Sequence, residues 1–350
     1  MRARRVDEDA ALGAGGRGGF VLAFVVFMLF SVSVAAATGY LVINSEFAMS
    51  KSAIDGSEAL AVARAGLERF VAEQLGVVAD TVSYALGDGV AVVTSRRLFT
   101  QDAVTDMYYI RSEATVTDIF APNTPARRVV GAYAVHRRRP LVPHAAVMLS
   151  ADVVRVESGG RAHGTDYSTV SDCPVGGASD IGGLVTRSSF FEYAPDRVEG
   201  SPEALIWAGG YSAIVDSIAI RWDVLSDPDL PLEFDGVWPN YGTLPPDSFP
   251  VVRQYGTVAP NTYGRGVLIV DGMFDPGPSF QWYGIVLAGA VDDVIQGSLR
   301  GLLVGGLNVN NPYTTVIVQT DVRYYSCEVY AANEALSYLE LLENTVFESN

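Results

Sequence analysis

The sequence predicts an α+β protein. A long N-terminal helix, transmembrane and then amphipathic, packs on an antiparallel sheet; a small Gly-rich parallel β-helix-like region and a C-terminal helix follow. Three observations carry this expectation. No charged residue occurs between Arg17 and Glu46. From Val90 to Arg139, apolar and polar residues alternate in three runs. Three glycine-flanked apolar runs, residues 266–272, 284–290 and 301–307, recur at spacings of 18 and 17 residues.

The helix comes first. Residues 20–43 would span about 36 Å as a helix, more than the ~30 Å hydrocarbon core of a bilayer. Arg2, Arg4, Arg5 and Arg17 precede this span, and Lys51, the chain's only lysine, is the one basic residue soon after it. The positive-inside bias places the N-terminus in the cytoplasm and everything after Ile43 outside. A cleavable secretory signal has a shorter apolar core, about 7–15 residues, and a small-residue site. The stretch VAAAT at residues 34–38 imitates such a site and keeps that alternative open.

Good helix formers continue from Glu46 without proline. Ala59, Val62, Gly66 and Phe70 form an apolar stripe of helical period, and Gly76 is the expected stop. Residues 20–75 are thus expected as one helix of about 84 Å, apolar all round in its first half and two-faced in its second.

The Arg-containing leader, the Gly19-Phe20 junction, the long apolar helix and the continuation rich in Ala, Glu and Arg resemble a type IV prepilin. Residues 50–71, SKSAIDGSEALAVARAGLERFV, look most like the PilX-type minor pilins, in which a comparable A-x-x-A-E-A-G-L rhythm follows the anchor. The resemblance covers the first 75 residues and, loosely, the next 65. It implies that prepilin peptidase cuts between Gly19 and Phe20 and that Phe20 becomes the methylated N-terminal residue. It also implies other pilins and minor pilins as partners, with lipid as the first environment of the helix. One position departs from the pattern. Major pilins carry glutamate as the fifth mature residue, where this chain has Phe24. The resemblance therefore implies a rare subunit, at or near a filament tip or priming assembly, of a pilus or a related secretion filament, reaching the cell surface.

The strands follow. Residues 90–99, 106–120 and 126–140 alternate, with APNTP at 121–125 as a turn. Tyr109, Arg111, Glu113, Thr115 and Thr117 share one face, and Ile110, Ala114 and Val116 the other. A sheet with one apolar face needs a cover, which the amphipathic half of the helix supplies. His136, Arg137, Arg138 and Arg139 are either a partner patch or a solvated strand end before Pro140.

Beyond Pro140 the repeat signals stacked coils, each burying its apolar side on the next. Residues 145–158 and 314–326 are expected as end strands. Residues 196–263, rich in proline, glycine and aromatics, read as an insertion with a helix near 202–207 or 213–225. Residues 327–342 read as a helix with Val329, Ala332, Leu336 and Leu339 as its apolar stripe, capping or flanking the coils. The expected organisation is a leader (1–19), an assembly helix (20–45), a helix-plus-sheet unit (46–140), a β-rich region (141–326) and a C-terminal helix and tail (327–350).

Composition bounds the function. A net charge of −16 disfavours a nucleic-acid partner, whose phosphates are neutralised by Lys and Arg. No G-x-S-x-G elbow, P-loop or dinucleotide fingerprint occurs, so the sequence predicts neither an enzyme nor a cofactor. Asp292 and Asp293 lie beside a repeat, but adjacent strand residues point to opposite faces. His163 and Asp166 fall short of the three ligands a zinc or iron site needs. Asp227, Asp229, Glu233 and Asp235 form an oxygen-rich loop, the type calcium prefers. Their spacing is not that of an EF-hand, and Pro228 and Pro231 explain the loop without a metal. Cys173 and Cys327, the chain's two cysteines, either form one disulfide outside the cytoplasm or remain buried thiols. The alternative to a filament subunit is a membrane-anchored surface protein, its anchor uncut, whose coils bind or cleave glycan.

Overall fold

The computed structural model describes residues 18–117, 125–157, 159–168, 179–187, 191–194, 196–207, 210–260, 262–292, 294–308 and 311–349. In chain order these form α1 (Gly18–Glu73), β1 (Thr81–Leu86), β2 (Gly89–Asp102), β3 (Thr105–Val116), β4 (Ala126–Arg137), β5 (Ala145–Leu149), β6 (Ala151–Val156) and β7 (Arg161–His163). Then come β8 (Gly182–Thr186), β9 (Phe191–Tyr193), β10 (Val198–Glu199), β11 (Ala204–Ile206), α2 (Gly210–Ile218), α3 (Trp222–Leu225), β12 (Phe234–Asp235) and β13 (Val251–Val258). The last elements are β14 (Tyr263–Phe274), β15 (Gln281–Val291), β16 (Val294–Gly305), β17 (Asn311–Arg323), α4 (Ser326–Glu334), β18 (Tyr338–Leu341) and β19 (Phe347–Ser349). The architecture is α+β: one long apolar helix, an antiparallel sheet and a parallel sheet.

Helix α1 is 56 residues long and unbroken. Its most apolar 18-residue window has a mean hydropathy of 2.4 with none of it buried, so it is long and apolar enough to cross a membrane. Three hydroxyl side chains in this half are answered within the helix. Ser31, Ser33 and Thr38 donate to the carbonyls of Phe27, Leu29 and Val34 at 2.8, 2.8 and 2.6 Å, which removes their cost in an apolar medium. The second half is buried along one face: Ala59, Val62, Ala63, Leu67 and Phe70. There is no break between Val42 and Ser57.

That face covers the antiparallel sheet, ordered β1-β2-β3-β4-β18, with β19 also on β4. Its inward residues are Ala91 and Val93 of β2, Ile110, Ala114 and Val116 of β3, and Val130, Ala132 and Ala134 of β4. The alternation in β3 runs as expected. Small residues let the helix approach closely: a methyl on Gly66 would lie 2.4 Å from the Ala91 Cβ. Strand β1 had no expectation in the sequence, because its inward alternation is short. Of the turn expected at 121–125, only residue 125 lies within the described residues.

The C-terminal segment corrects one expectation. The helix expected over 327–342 ends at Glu334, and Tyr338–Leu341 is a strand antiparallel to β4. Val329, Ala332 and Leu336 bury against the parallel sheet, whereas Leu339 belongs to the antiparallel core. The physical reason is the open edge of β4, whose backbone groups need partners that a strand supplies and a helix does not.

Every pairing in the second sheet is parallel. Parallel strands ordinarily need a crossover of a dozen residues or more. Here only residues 292–293 separate β15 from β16, yet Gln281 pairs with Ser298. Each strand must itself bend around the core to reach its next position. The 18- and 17-residue spacings are the register of this stack: Gly266 pairs with Gly284, and Gly284 with Gly301. All three have positive φ, 110°, 122° and 148°. A Cβ on Gly301 would lie 1.7 Å from the Gly284 carbonyl oxygen, and one on Gly284 2.4 Å from that of Gly266. The core is a set of in-register apolar columns, such as Val252, Leu268, Val286, Leu303, Val147, Leu184 and Ala204.

That column corrects a second expectation. The strands formed within residues 145–158 and 314–326, which are β5, β6 and most of β17, are internal and not end strands: β5 lies between β16 and β8, and β6 pairs with β17 at mid-stack. The chain builds one end of the stack first, then passes through α2 and α3 to the other end and winds back. Of the two sites considered for a helix in the insertion, the second is taken, and residues 204–206 form β11 instead. Two corrections thus share a cause: strands that close a sheet are chosen by open edges elsewhere.

Gly301→Ala should lower folding stability by about 2–4 kcal/mol, from backbone strain plus overpacking. Denaturant unfolding of the full chain, followed by tryptophan fluorescence, measures it.

Candidate functional site

Two surfaces need an explanation beyond folding: the bare half of α1 and the flank of the parallel stack. Leu22, Phe24, Phe27, Phe30, Leu41 and Ile43 are all exposed and point around the full circumference of the helix. A surface this apolar needs lipid or other helices around it. Gly19 and Phe20 lie in the first turn of α1. The leader before Gly18 lies outside the described residues.

The oxygen-rich loop holds a cation of the protein's own. Arg253 of β13 is fully buried. Its guanidinium donates to the carbonyls of Leu225 at 3.3 Å, Pro228 at 3.3 Å and Leu230 at 2.8 Å, to that of Asp227, and to the Asp235 carboxylate at 2.9 Å. The hydrogen bond from Arg253 holds the Asp235 carboxyl below the usual carboxylate range, with help from the Tyr255 hydroxyl at 2.7 Å. Asp227 folds back to accept from the Asp229 amide at 2.9 Å. Of the four calcium candidates, the structure brings Asp227 (through its carbonyl) and Asp235 to one centre. Neither Asp229 nor Glu233 bonds the Arg253 guanidinium. Among the described residues no group of three or more His, Cys, Asp or Glu could hold a metal ion.

The basic run 136–139 joins neighbouring elements, with His136 buried and Arg137 exposed. His136 is buried, with Nε2 2.9 Å from the Gly76 carbonyl and Nδ1 4.0 Å from Asp106. Arg137 pairs with Glu340 at 2.7 Å, Arg138 with Asp106 at 3.2 Å and Arg139 with Glu334 at 3.3 Å. Each contact ties β4 to the turn after α1, to its own sheet, or to the α4–β18 segment. Burial pushes the His136 imidazole below its usual pKa. His163 is lowered for the same reason, and its Nδ1 lies 2.9 Å from the Tyr167 hydroxyl. Asp166 accepts from the Ser326 amide at 3.0 Å and hydroxyl at 2.6 Å, capping α4 from outside. The pair His163 and Asp166 is thus structural.

Cys327 is disulfide-bonded; Cys173, the chain's other cysteine, lies outside the described residues. Asp293 lies outside them as well. Asp292 stacks on Asp275: its amide donates to the Phe274 carbonyl at 3.0 Å, and burial with the Asp292 carboxylate raises the Asp275 pKa.

The flank of the stack carries a column with no counterpart in the sequence reading. Arg265, Tyr283, Arg300, Arg323, His163 and Glu199 sit at directly paired positions of successive strands. The 18- and 17-residue spacings, applied to polar positions as well as glycines, link Arg265, Tyr283 and Arg300 and were the available signal.

Comparison with known proteins returns no matching protein family, no matching curated protein and no matching solved structure.

Arg253→Ala should lower stability by about 3–5 kcal/mol, because it strands buried carbonyls and Asp235; chemical denaturation checks this. Millimolar calcium should leave the unfolding temperature unchanged. For His136 and His163 the sign follows from their lowered folded-state pKa. Their stabilisation is complete above the ordinary imidazole pKa of about 6.5 and is lost as pH falls below it. The unfolding temperature should therefore drop between pH 7.5 and pH 5.5, and His136→Gln should shrink that drop.

Proposed function

We propose that this chain is a minor-pilin-like subunit of the PilX type, working in a type IV pilus or a related secretion filament. Prepilin peptidase would remove residues 1–19 and leave Phe20 as the mature N-terminus. The bare half of α1 would rest in inner-membrane lipid and then pack among the helices of neighbouring pilins. Lipid tails and helix surfaces are similarly apolar, so one side-chain set serves both environments.

The observation that carries this reading is the single helix that is bare from Val21 to Ile43 and seated on a sheet from Ala59 to Phe70. A simple tether has no need to continue as the rigid spine of the folded part. With Phe24 at the fifth mature position, the subunit lacks the carboxylate through which a repeating subunit is thought to pair with a neighbour's terminal amine. It suits a tip or a priming position, with the parallel stack displayed as a small β-helix. Its localisation on this reading is the inner membrane, N-terminus inside, and later the filament or cell surface.

The second reading is an anchored surface protein that keeps its leader and uses the β-helix on glycan. The in-register flank of the stack favours it. N-terminal sequencing of the chain purified from membranes separates the two. The filament reading expects a start at N-methylated Phe20, and Gly19→Val should leave the leader attached. An intact Met1, or a start near Thr38, overturns it.

A further inference from the structure

We infer that the open flank of the parallel stack binds a neutral polysaccharide strand, laid across the rungs with its sugar rings on a row of tyrosines. This goes beyond the filament reading and gives the glycan of the second reading a class and a place. The two are separable, because N-terminal sequencing tests the anchor and sugar binding tests the flank.

The row is continuous. Tyr241 meets Tyr263 with ring centroids 6.2 Å apart, and Tyr263 meets Tyr283 at 5.3 Å. The Arg300 guanidinium lies 5.0 Å from the Tyr283 ring and 3.9 Å from that of Tyr325. Tyr325 meets Tyr167 at 5.9 Å, and Arg323 lies 5.3 Å from the same Tyr167 ring. Tyr263 is 46% exposed, Tyr283, Tyr325 and Tyr167 are half-buried, and the side chains of Arg300 and Arg323 are 40% and 32% exposed, so solvent reaches the row most freely at Tyr263. Beside it runs a parallel column of polar residues, Gln281, Ser298, Asp321 and Arg161, at paired positions.

Three arguments select the ligand. The first is repeat. Rungs of a parallel sheet are about 4.8 Å apart, close to the advance of one sugar in an extended β-linked chain. A surface with a fixed short repeat suits a polymer with the same repeat. The second is composition. Rings and guanidinium groups alternate with the carboxylates of Glu328 and Asp321, and acidic side chains are depleted at protein–protein interfaces. Aromatic faces beside planar hydrogen-bonding groups match the apolar face and the hydroxyl rim of a sugar. The third is charge. Arg300 is already paired with Glu328 at 2.8 Å, and Arg323 with Asp321 at 2.7 Å. Arg265 is turned to the carbonyls of Ser248 at 2.8 Å and Pro245 at 2.7 Å. An anionic polymer would meet these carboxylates and Glu199 on a chain of net charge −16; a neutral one meets hydrogen-bonding groups held in place.

The test titrates the full chain, in a detergent without a sugar headgroup, with cello- and N-acetylated chito-oligosaccharides of two to six residues, and with oligogalacturonates of the same lengths as the anionic control, by calorimetry. Affinity for at least one series should rise with length until the strand spans the row. Tyr263→Ala and Tyr283→Ala should each weaken binding about tenfold, the worth of one aromatic stacking contact. Tyr283→Phe should bind as the wild type does, since the ring is kept, and unchanged far-ultraviolet circular dichroism would show the variants folded. Absence of binding to both series, affinity independent of length, binding indifferent to both alanine variants, or binding to oligogalacturonate alone would each overturn the proposal.

Discussion

The close seat of α1 on the antiparallel sheet is the contact on which the rest depends. A helix can lie flat on strands only where both surfaces are low. Here Ala59, Ala63 and Gly66 meet a sheet face that includes Ala91, Ala114 and Ala132. Leu67 and Phe70 then fill the space toward the end of the helix, both essentially without exposure. Because the seat holds the second half of the helix, the first half continues from it without a break and carries its apolar surface bare. Burial along this seam, at roughly 25 cal/mol per Å² of apolar area, is the main stabilising term for the sheet as well, whose inner face is covered by α1 among the described residues.

The parallel stack obeys a different constraint. Its strands turn without crossover connections, so backbone approaches backbone at the corners, and only glycine leaves room there. The ends of such a stack expose apolar side chains and unpaired backbone. At one end the insertion supplies the cover, and Arg253 holds that cover in place by satisfying four carbonyls and a carboxylate from the buried side. A charge at zero exposure is costly unless it is paired and fully hydrogen-bonded, and this one is.

The two sheets are joined by more than a linker. Asn333 of α4 donates to the Leu141 carbonyl at 2.7 Å and accepts from the Leu141 amide at 3.0 Å. Gly76 donates its amide to the Ser337 carbonyl at 2.7 Å, and His136 sits on the Gly76 carbonyl. The C-terminal strands β18 and β19 return from the stack to complete the first sheet. The end of the helix, the edge of the antiparallel sheet and the flank of the stack therefore meet at one buried polar joint. These hydrogen bonds tie the stack to the end of the helix.

Much of this was legible in residue order. A charge-free run, an apolar stripe of helical period and an alternating face are local signals, since each reports which side of one element avoids water. They specified the 56-residue helix to within two residues at either end, the inward face of β3 and the glycine register at 18 and 17 residues. What the sequence left undecided depended on partners distant in the chain. Leu336 and Leu339 fit a helical stripe, yet Leu339 went to a strand because β4 had an open edge some 200 positions earlier. Residues 145–158 looked like an end strand, yet β16 and β17 claimed β5 and β6 as internal ones. The loop of Asp227 and Asp235 has the oxygen-rich composition calcium prefers, yet its spacing promised no site, and it is a buried arginine from β13 that bonds the Asp227 carbonyl and the Asp235 carboxylate. Periodicity is a property of one segment, whereas an unpaired edge or an unsatisfied carbonyl is filled by whatever the fold brings beside it, and only the tertiary structure decides that.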